Sequence, residues 1–339
     1  MSNQFSISKT LSRTHGLKPA QIDDYLIWGK MNKIESFCEH NIMQFDVKCK
    51  ILHGNRKDFF SAVIKEIVSL QEMASSFEYD MVLVENASVV HTFELCRGCF
   101  NSGDFDMVAS NQKDSIDLLK VTDIFYMSGW SKKVRRPRDE KLMLTFCKHI
   151  EGRDFYINLE LNSVSRRYFR EKIRTNSRIE KFIKEGWQIK NGVKVFRDNE
   201  NFYHNLLHIS IGHYYGTSPG TRLYYDINPY FERNIVDIDK IIEWAEEDGT
   251  LLRVLCVIEL YGFIFNKDMR DCFQNYSRYE AKKNKNKHKI EEILLLIPIN
   301  EINSKTVNFS LYKQVLIDSK SSNQPFCINF ILRLIHQVI

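Results

Sequence analysis

Between residues 142 and 161 the apolar positions fall on every second residue, twice over. Leu142, Leu144 and Phe146 form one run, EGRD (151–154) turns the chain, and Phe155, Ile157, Leu159 and Leu161 form the next. A period of two puts one set of side chains on one face of a strand, so this stretch predicts an antiparallel hairpin over a core. WQIKNGVKVF (187–196) predicts a second, because Asn191-Gly192 suits the two-residue turn that matches strand twist.

The same reasoning extends the β content. Met43, Phe45, Val47, Cys49 and Ile51 alternate with polar residues and predict a half-buried strand. MVLVE (81–85) and SVVHTFEL (88–95) suggest paired strands, and LLHISIGHYY, RLYYDINP and ILLLIPI further ones. LLRVLCVIELYGFIF (251–265) is apolar throughout, so periodicity cannot assign it; one or two buried strands are expected.

Helical spacing marks other segments: Pro19 to about His40, 59–75 behind Asp58, a basic helix near 164–185, and a charged one near 268–290. VDIDKIIEWAEEDG has Asp237 to cap it and Gly249 to end it. Helices and hairpins mix without a regular β-α-β alternation, which makes the expected class α+β. The expected organisation is a flexible tail (1–16) and two α+β regions (17–130 and 139–339), with SKKVRRPR between them.

Charge is concentrated. Residues 132–138 carry +5, residues 166–184 carry +6 and residues 282–289 carry +5, although the whole chain is only +5. The remainder is therefore −11. Clustered cations suit a polyanion, and arginine meets phosphate with a two-pronged fork. Lys132, Lys133, Arg135, Arg136 and Arg138, extended by Arg166, Arg167, Arg170, Lys172 and Arg174, are the expected nucleic-acid contacts. RNA is expected over DNA, since Tyr168 and Phe169 among the cations suit stacking on single-stranded bases.

Three constellations bear on chemistry. Asp80, Glu94, Asp104, Asp106 and Glu160 fall on or near predicted strands, where metal-dependent nucleases gather their acids. Cys96-Arg-Gly-Cys99 has a spacing that holds one edge of a zinc site; His91, or Cys147 with His149, could complete it. His208-Ile-Ser210 resembles one element of the repeated His-x-Ser/Thr motif of two-histidine phosphoesterases, which implies a catalytic role for His208. The second element of that family has no counterpart among the ten histidines. No Walker or Rossmann glycine pattern occurs, and no cofactor or metal is expected.

No run approaches the roughly 20 apolar residues that a membrane span needs, and the first residues are polar. A cytoplasmic protein with eight free thiols is the expectation. Scarce Pro and Gly beside abundant Asn, Lys, Ile and Phe fit AT-rich coding, as in many viruses. FCINFILRLIHQVI (326–339) is apolar and suits packing on a core or on a second copy. The leading expectation is a self-associating RNA-binding protein, plausibly viral, without catalysis. A metal-dependent nuclease or phosphodiesterase, and a purely structural assembly protein, are the alternatives.

Overall fold

A computed structural model describes residues 5–13, 15–100, 102–109, 118–133, 143–160, 170–216, 220–302, 307–322, 325–327 and 330. Its helices are α1 (Ile7–Leu11), α2 (Ile22–Met31), α3 (Glu35–Ile42), α4 (Val47–Ser76), α5 (Glu85–Thr92), α6 (Leu118–Met127), α7 (Arg170–Glu185) and α8 (Asp198–Leu207). They continue as α9 (Asn228–Arg233), α10 (Ile238–Asp248), α11 (Leu251–Phe265), α12 (Ser277–Lys285), α13 (Lys287–Leu294), α14 (Ile299–Ile302) and α15 (Leu311–Ser322). The strands are β1 (Met81–Leu83), β2 (Asp104–Ala109), β3 (Ser131–Lys133), β4 (Met143–Ile150), β5 (Arg153–Glu160), β6 (Trp187–Lys190) and β7 (Val193–Phe196). The class is α+β, and the chain divides into two units.

The first unit, Met43–Ser165 with Asn176–Asn201, carries one sheet in the order β3-β4-β5-β2-β1-β7-β6. Both expected hairpins are present. Glu151 (φ 47°) and Gly152 (φ 80°) link β4 to β5, and Asn191 (φ 45°) and Gly192 (φ 85°) link β6 to β7. Two successive positive φ angles are what a type I′ turn requires. β2 pairs parallel with β5, and β1 parallel with β7; the other pairings are antiparallel.

One face of this sheet is the core. Phe105, Met107, Phe146, Phe155, Ile157 and Leu159 pack there with Phe60, Val63, Ile67 and Leu70 of α4. Phe125 of α6 stacks on Phe146 with ring centroids 3.7 Å apart.

Asp46 explains why the alternating 43–51 stretch is not a strand. Its carboxylate accepts from the backbone N–H of Lys48 (2.8 Å) and Cys49 (3.4 Å), capping a helix that runs on to Ser76. The alternation is incidental, since Phe45, Val47 and Ile51 are exposed. Residues 85–92 likewise form α5 rather than a strand, directly after β1.

The second unit, Met1–Ile42, Arg166–Thr175 and Phe202–Ile339, is helical over its described residues. The apolar run 251–265 is the buried helix α11; its fifteen residues exceed a usual buried strand. Arg253 within it pairs with Asp318 of α15 at 3.3 Å, both fully enclosed. α10 has the expected caps: Asp237 accepts from Lys240 N–H, and Gly249 (φ 77°) closes the other end. ILLLIPI ends α13 and leads into α14, and RLYYDINP is helical turn rather than strand. Part of the basic run 282–289 is neutralised locally: Lys282 and Arg278 pair with Glu246, and Lys283 pairs with Glu259. Among the described residues, no helix is long and apolar enough to cross a membrane.

Candidate metal-dependent active site

The register of the sheet gathers the acids. β2 alternates Asp104 and Asp106 on one face with Phe105 and Met107 on the other, and the second pair fills the core. Asp106 is opposite Asn158 of β5, and Val108 is opposite Glu160. Paired residues project from the same face. Asp104, Asp106, Asn158 and Glu160 therefore share the side of the sheet that α4 does not cover. β2 and β5 are far apart in sequence, so their parallel pairing is what unites these residues.

Asn158 organises the cluster. Its amide donates to Asp104 Oδ2 (2.9 Å) and Asp106 Oδ1 (3.2 Å), and its carbonyl oxygen accepts from Thr145 Oγ1 of β4 (3.1 Å). The Ser102 hydroxyl donates to Asp104 Oδ1 at 2.9 Å. Asn158, Glu160 and Thr145 are buried, whereas Asp104 and Asp106 keep part of their surface in water. The two aspartates thus form the accessible edge of a polar layer fixed from behind.

Glu85 joins from β1. Val84 N–H donates to the Asp106 carbonyl (3.0 Å), so the next residue, at the start of α5, stands beside Asp106. Glu85 has φ 59°, a left-handed conformation that costs a non-glycine residue about 1–3 kcal/mol and concentrates at functional sites. Asp106 holds its proton well above the usual carboxylate range. Loss of water is the largest cause, followed by the charges of Glu85, Glu160 and Asp104; the Asn158 amide opposes them. Carboxylates crowded in this way are poised for a cation, which reverses the balance.

The other expected site residues fall elsewhere. Asp80 pairs with Lys194 at 2.6 Å, and Glu94 lies past the end of α5 within 3.5 Å of Asn191. His208 and Ser210 lie in a π-helical turn, not on a strand, and the Ser210 hydroxyl donates to the Leu206 carbonyl. His149 of β4 is bound to Asp154, and the His91 ring contacts the Lys190 carbonyl (2.9 Å). Lys132 and Lys133 are exposed on the edge strand β3. Arg135, Arg136, Arg138, Arg166 and Arg167 lie outside the described residues, as do the side chains of Arg170, Lys172 and Arg174 on α7. The C-terminal apolar segment lies largely outside them too.

Glu85, Asn158 and Thr145 were not singled out by sequence. Asn158 does carry a signal, standing two residues before Glu160 on the same strand face. No family model matches the chain, and a search of curated proteins finds no relative.

Proposed function

We propose that the chain is a divalent-metal-dependent phosphoryl-transfer enzyme that joins a nucleotide, donated by a nucleoside triphosphate, to a hydroxyl acceptor. The observation that carries this reading is the placement of Asp104, Asp106 and Glu160 on one face of two neighbouring strands. Magnesium is held by few carboxylates and fills its shell with water and substrate phosphates. Three acids suit that arrangement when a triphosphate supplies the remaining oxygens. The metal, when bound, polarises the phosphoryl group and stabilises the developing charge.

The residues then have distinct tasks. Asp104 and Asp106, both held by Asn158, would present their carboxylates as ligands. The acceptor oxygen forms a bond to the α-phosphorus, the bond from that phosphorus to the bridging oxygen breaks, and pyrophosphate leaves. Glu160 would complete the carboxylate set, and the acceptor's proton passes to water.

Lys133 supports a phosphate substrate on this face. It is opposite Thr145, which is opposite Asn158, which is opposite Asp106. Three strand spacings place its backbone roughly 14 Å from that of Asp106, within reach of a polyphosphate tail for a long side chain. Lys133→Glu is expected to raise KM for the triphosphate about tenfold, about 1.4 kcal/mol, and to leave kcat nearly unchanged. Steady-state kinetics over a range of triphosphate concentrations checks this. The basic segments of the sequence favour RNA as acceptor or regulator, through contacts that weaken with salt.

The test incubates the protein with α-labelled nucleoside triphosphates, with and without RNA, in magnesium, manganese or EDTA. Metal-dependent transfer with release of pyrophosphate, lost in Asp104→Asn, is the expected result. Metal-dependent cleavage of RNA without transfer would instead assign the acids to a hydrolase. No metal-dependent chemistry on either substrate would return the chain to a non-catalytic RNA-binding role.

A further inference from the structure

A second cluster lies within the connection from α5 to β2. Cys96 and Cys99 flank a single 3-10 turn, Arg97–Cys99, with their sulfurs 2.7 Å apart. His53 of α4 brings Nε2 to 3.1 Å from Cys96 Sγ. The three donors therefore converge on one point from two elements, and none of the eight cysteines is in a disulfide.

The surroundings are built for this approach. A Cβ on Gly98 would stand 2.4 Å from the His53 ring, so glycine is what lets the turn descend onto the imidazole. One helical turn beyond His53, Arg56 Nε donates to the Gly98 carbonyl at 2.7 Å. Arg97 reaches over the Phe60 ring and toward the Ser61 hydroxyl. Contacts from three successive turns of α4 thus hold the Cys-x-x-Cys turn in place. Cys99 is buried, and Cys96 and His53 are half-buried.

We propose that His53, Cys96 and Cys99 bind a structural zinc ion. Two thiolates at Cys-x-x-Cys spacing and one imidazole are zinc's preferred donors, and a closed site takes a fourth. That fourth donor is another side chain or a water. Zinc–sulfur bonds of about 2.3 Å in a tetrahedron separate two sulfurs by roughly 3.8 Å, so loading moves the thiols apart by about 1 Å. Binding ionises both thiols and releases their protons. The ion joins α4 to the segment that leads through Ser102 to Asp104, and so steadies the start of β2. The site is independent of the carboxylates, and its test does not depend on their activity.

The experiment measures metal content by elemental analysis of protein purified under reducing conditions. It adds the absorption spectrum after exchange for cobalt(II). Wild type is expected to carry about one zinc per chain and, with cobalt, to show a thiolate-to-metal charge-transfer band. His53→Ala and the double variant Cys96→Ser/Cys99→Ser should lose the metal. Gly98→Ala keeps every donor but displaces the imidazole, and should weaken zinc binding about 10- to 100-fold in competition with a chelator. A wild-type protein without zinc that also fails to take up cobalt overturns the proposal. So does a cobalt band unchanged in His53→Ala, or a Cys96–Cys99 disulfide in the purified protein, detected as a two-hydrogen mass deficit. Because the wild type alone yields a decisive spectrum, misfolding of a variant cannot mask the answer.

Discussion

Asp106→Asn is expected to abolish nucleotide transfer and, at the same time, to raise the melting temperature of the metal-free protein at neutral pH. The first effect follows from losing a metal ligand. Several kcal/mol of transition-state stabilisation correspond to a rate loss of about a thousandfold or more. The second follows from the same crowding. Asp106 stands against Glu85, Glu160 and Asp104 in a place partly closed to water, and its proton affinity is raised accordingly.

The sign is fixed by linkage. Between the unfolded and folded pKa values the folded state binds the extra proton, so stability declines as pH rises through that window. It is highest at the acidic end, near pH 4. An asparagine does not titrate and removes this decline. The variant should therefore melt above the wild type at neutral pH, and the difference should close toward pH 4. Magnesium should raise the Tm of the wild type and leave the variant unmoved. Thermal melts across pH, with and without magnesium, check each part. A variant less stable than wild type at neutral pH would contradict the electrostatic account of the cluster.

Phe105→Ala is expected to destabilise the sheet unit by about 3–5 kcal/mol. Phe105 lies between the two aspartates and points the other way, 1% exposed, edge-on to Phe100 (5.0 Å) and Phe155 (4.9 Å). Removing the ring leaves a cavity that Phe100, Phe155 and Phe60 (5.5 Å), all rigid, cannot close. Urea denaturation should show a lower midpoint with an unchanged slope. Phe105→Leu, which keeps most of the volume, should cost less than half as much. The anchor also sets the orientation of the acids on either side, so Phe105→Ala should lose turnover even at low temperature, where it remains folded. A loss below about 1 kcal/mol would mean that β2 is held by something other than this aromatic packing.

The elements that could be read from the sequence were those with local determinants. Asn191-Gly192 and Glu151-Gly152 dictate tight turns by their backbone angles, and Asp237 and Gly249 bracket α10. The errors share one cause, an apolar pattern read without its context. The 43–51 alternation concealed a helix cap at Asp46, and α11 is apolar along most of its surface because most of its residues are buried.

The acids could be named from the sequence but not grouped. Asp80, Glu94, Asp104, Asp106 and Glu160 all fall on or near strands expected from the sequence, and only the parallel pairing of β2 with β5 selects three of them. No local feature announces that pairing, because intervening elements separate the strands. His53 was invisible for the same reason. A lone histidine on a long helix has no signature until the Cys-x-x-Cys turn docks against it.

The central claim is that Asp104, Asp106 and Glu160 form a divalent-metal site that a nucleoside triphosphate completes. Manganese titration followed by electron paramagnetic resonance tests it most directly, because the signal of free manganese falls as the ion binds and no acceptor need be known. The account predicts binding by the wild type that tightens when a non-hydrolysable nucleoside triphosphate is added, and that disappears in Asp104→Asn/Asp106→Asn. Equal free-manganese signals for wild type and variant, with and without the triphosphate, would contradict it.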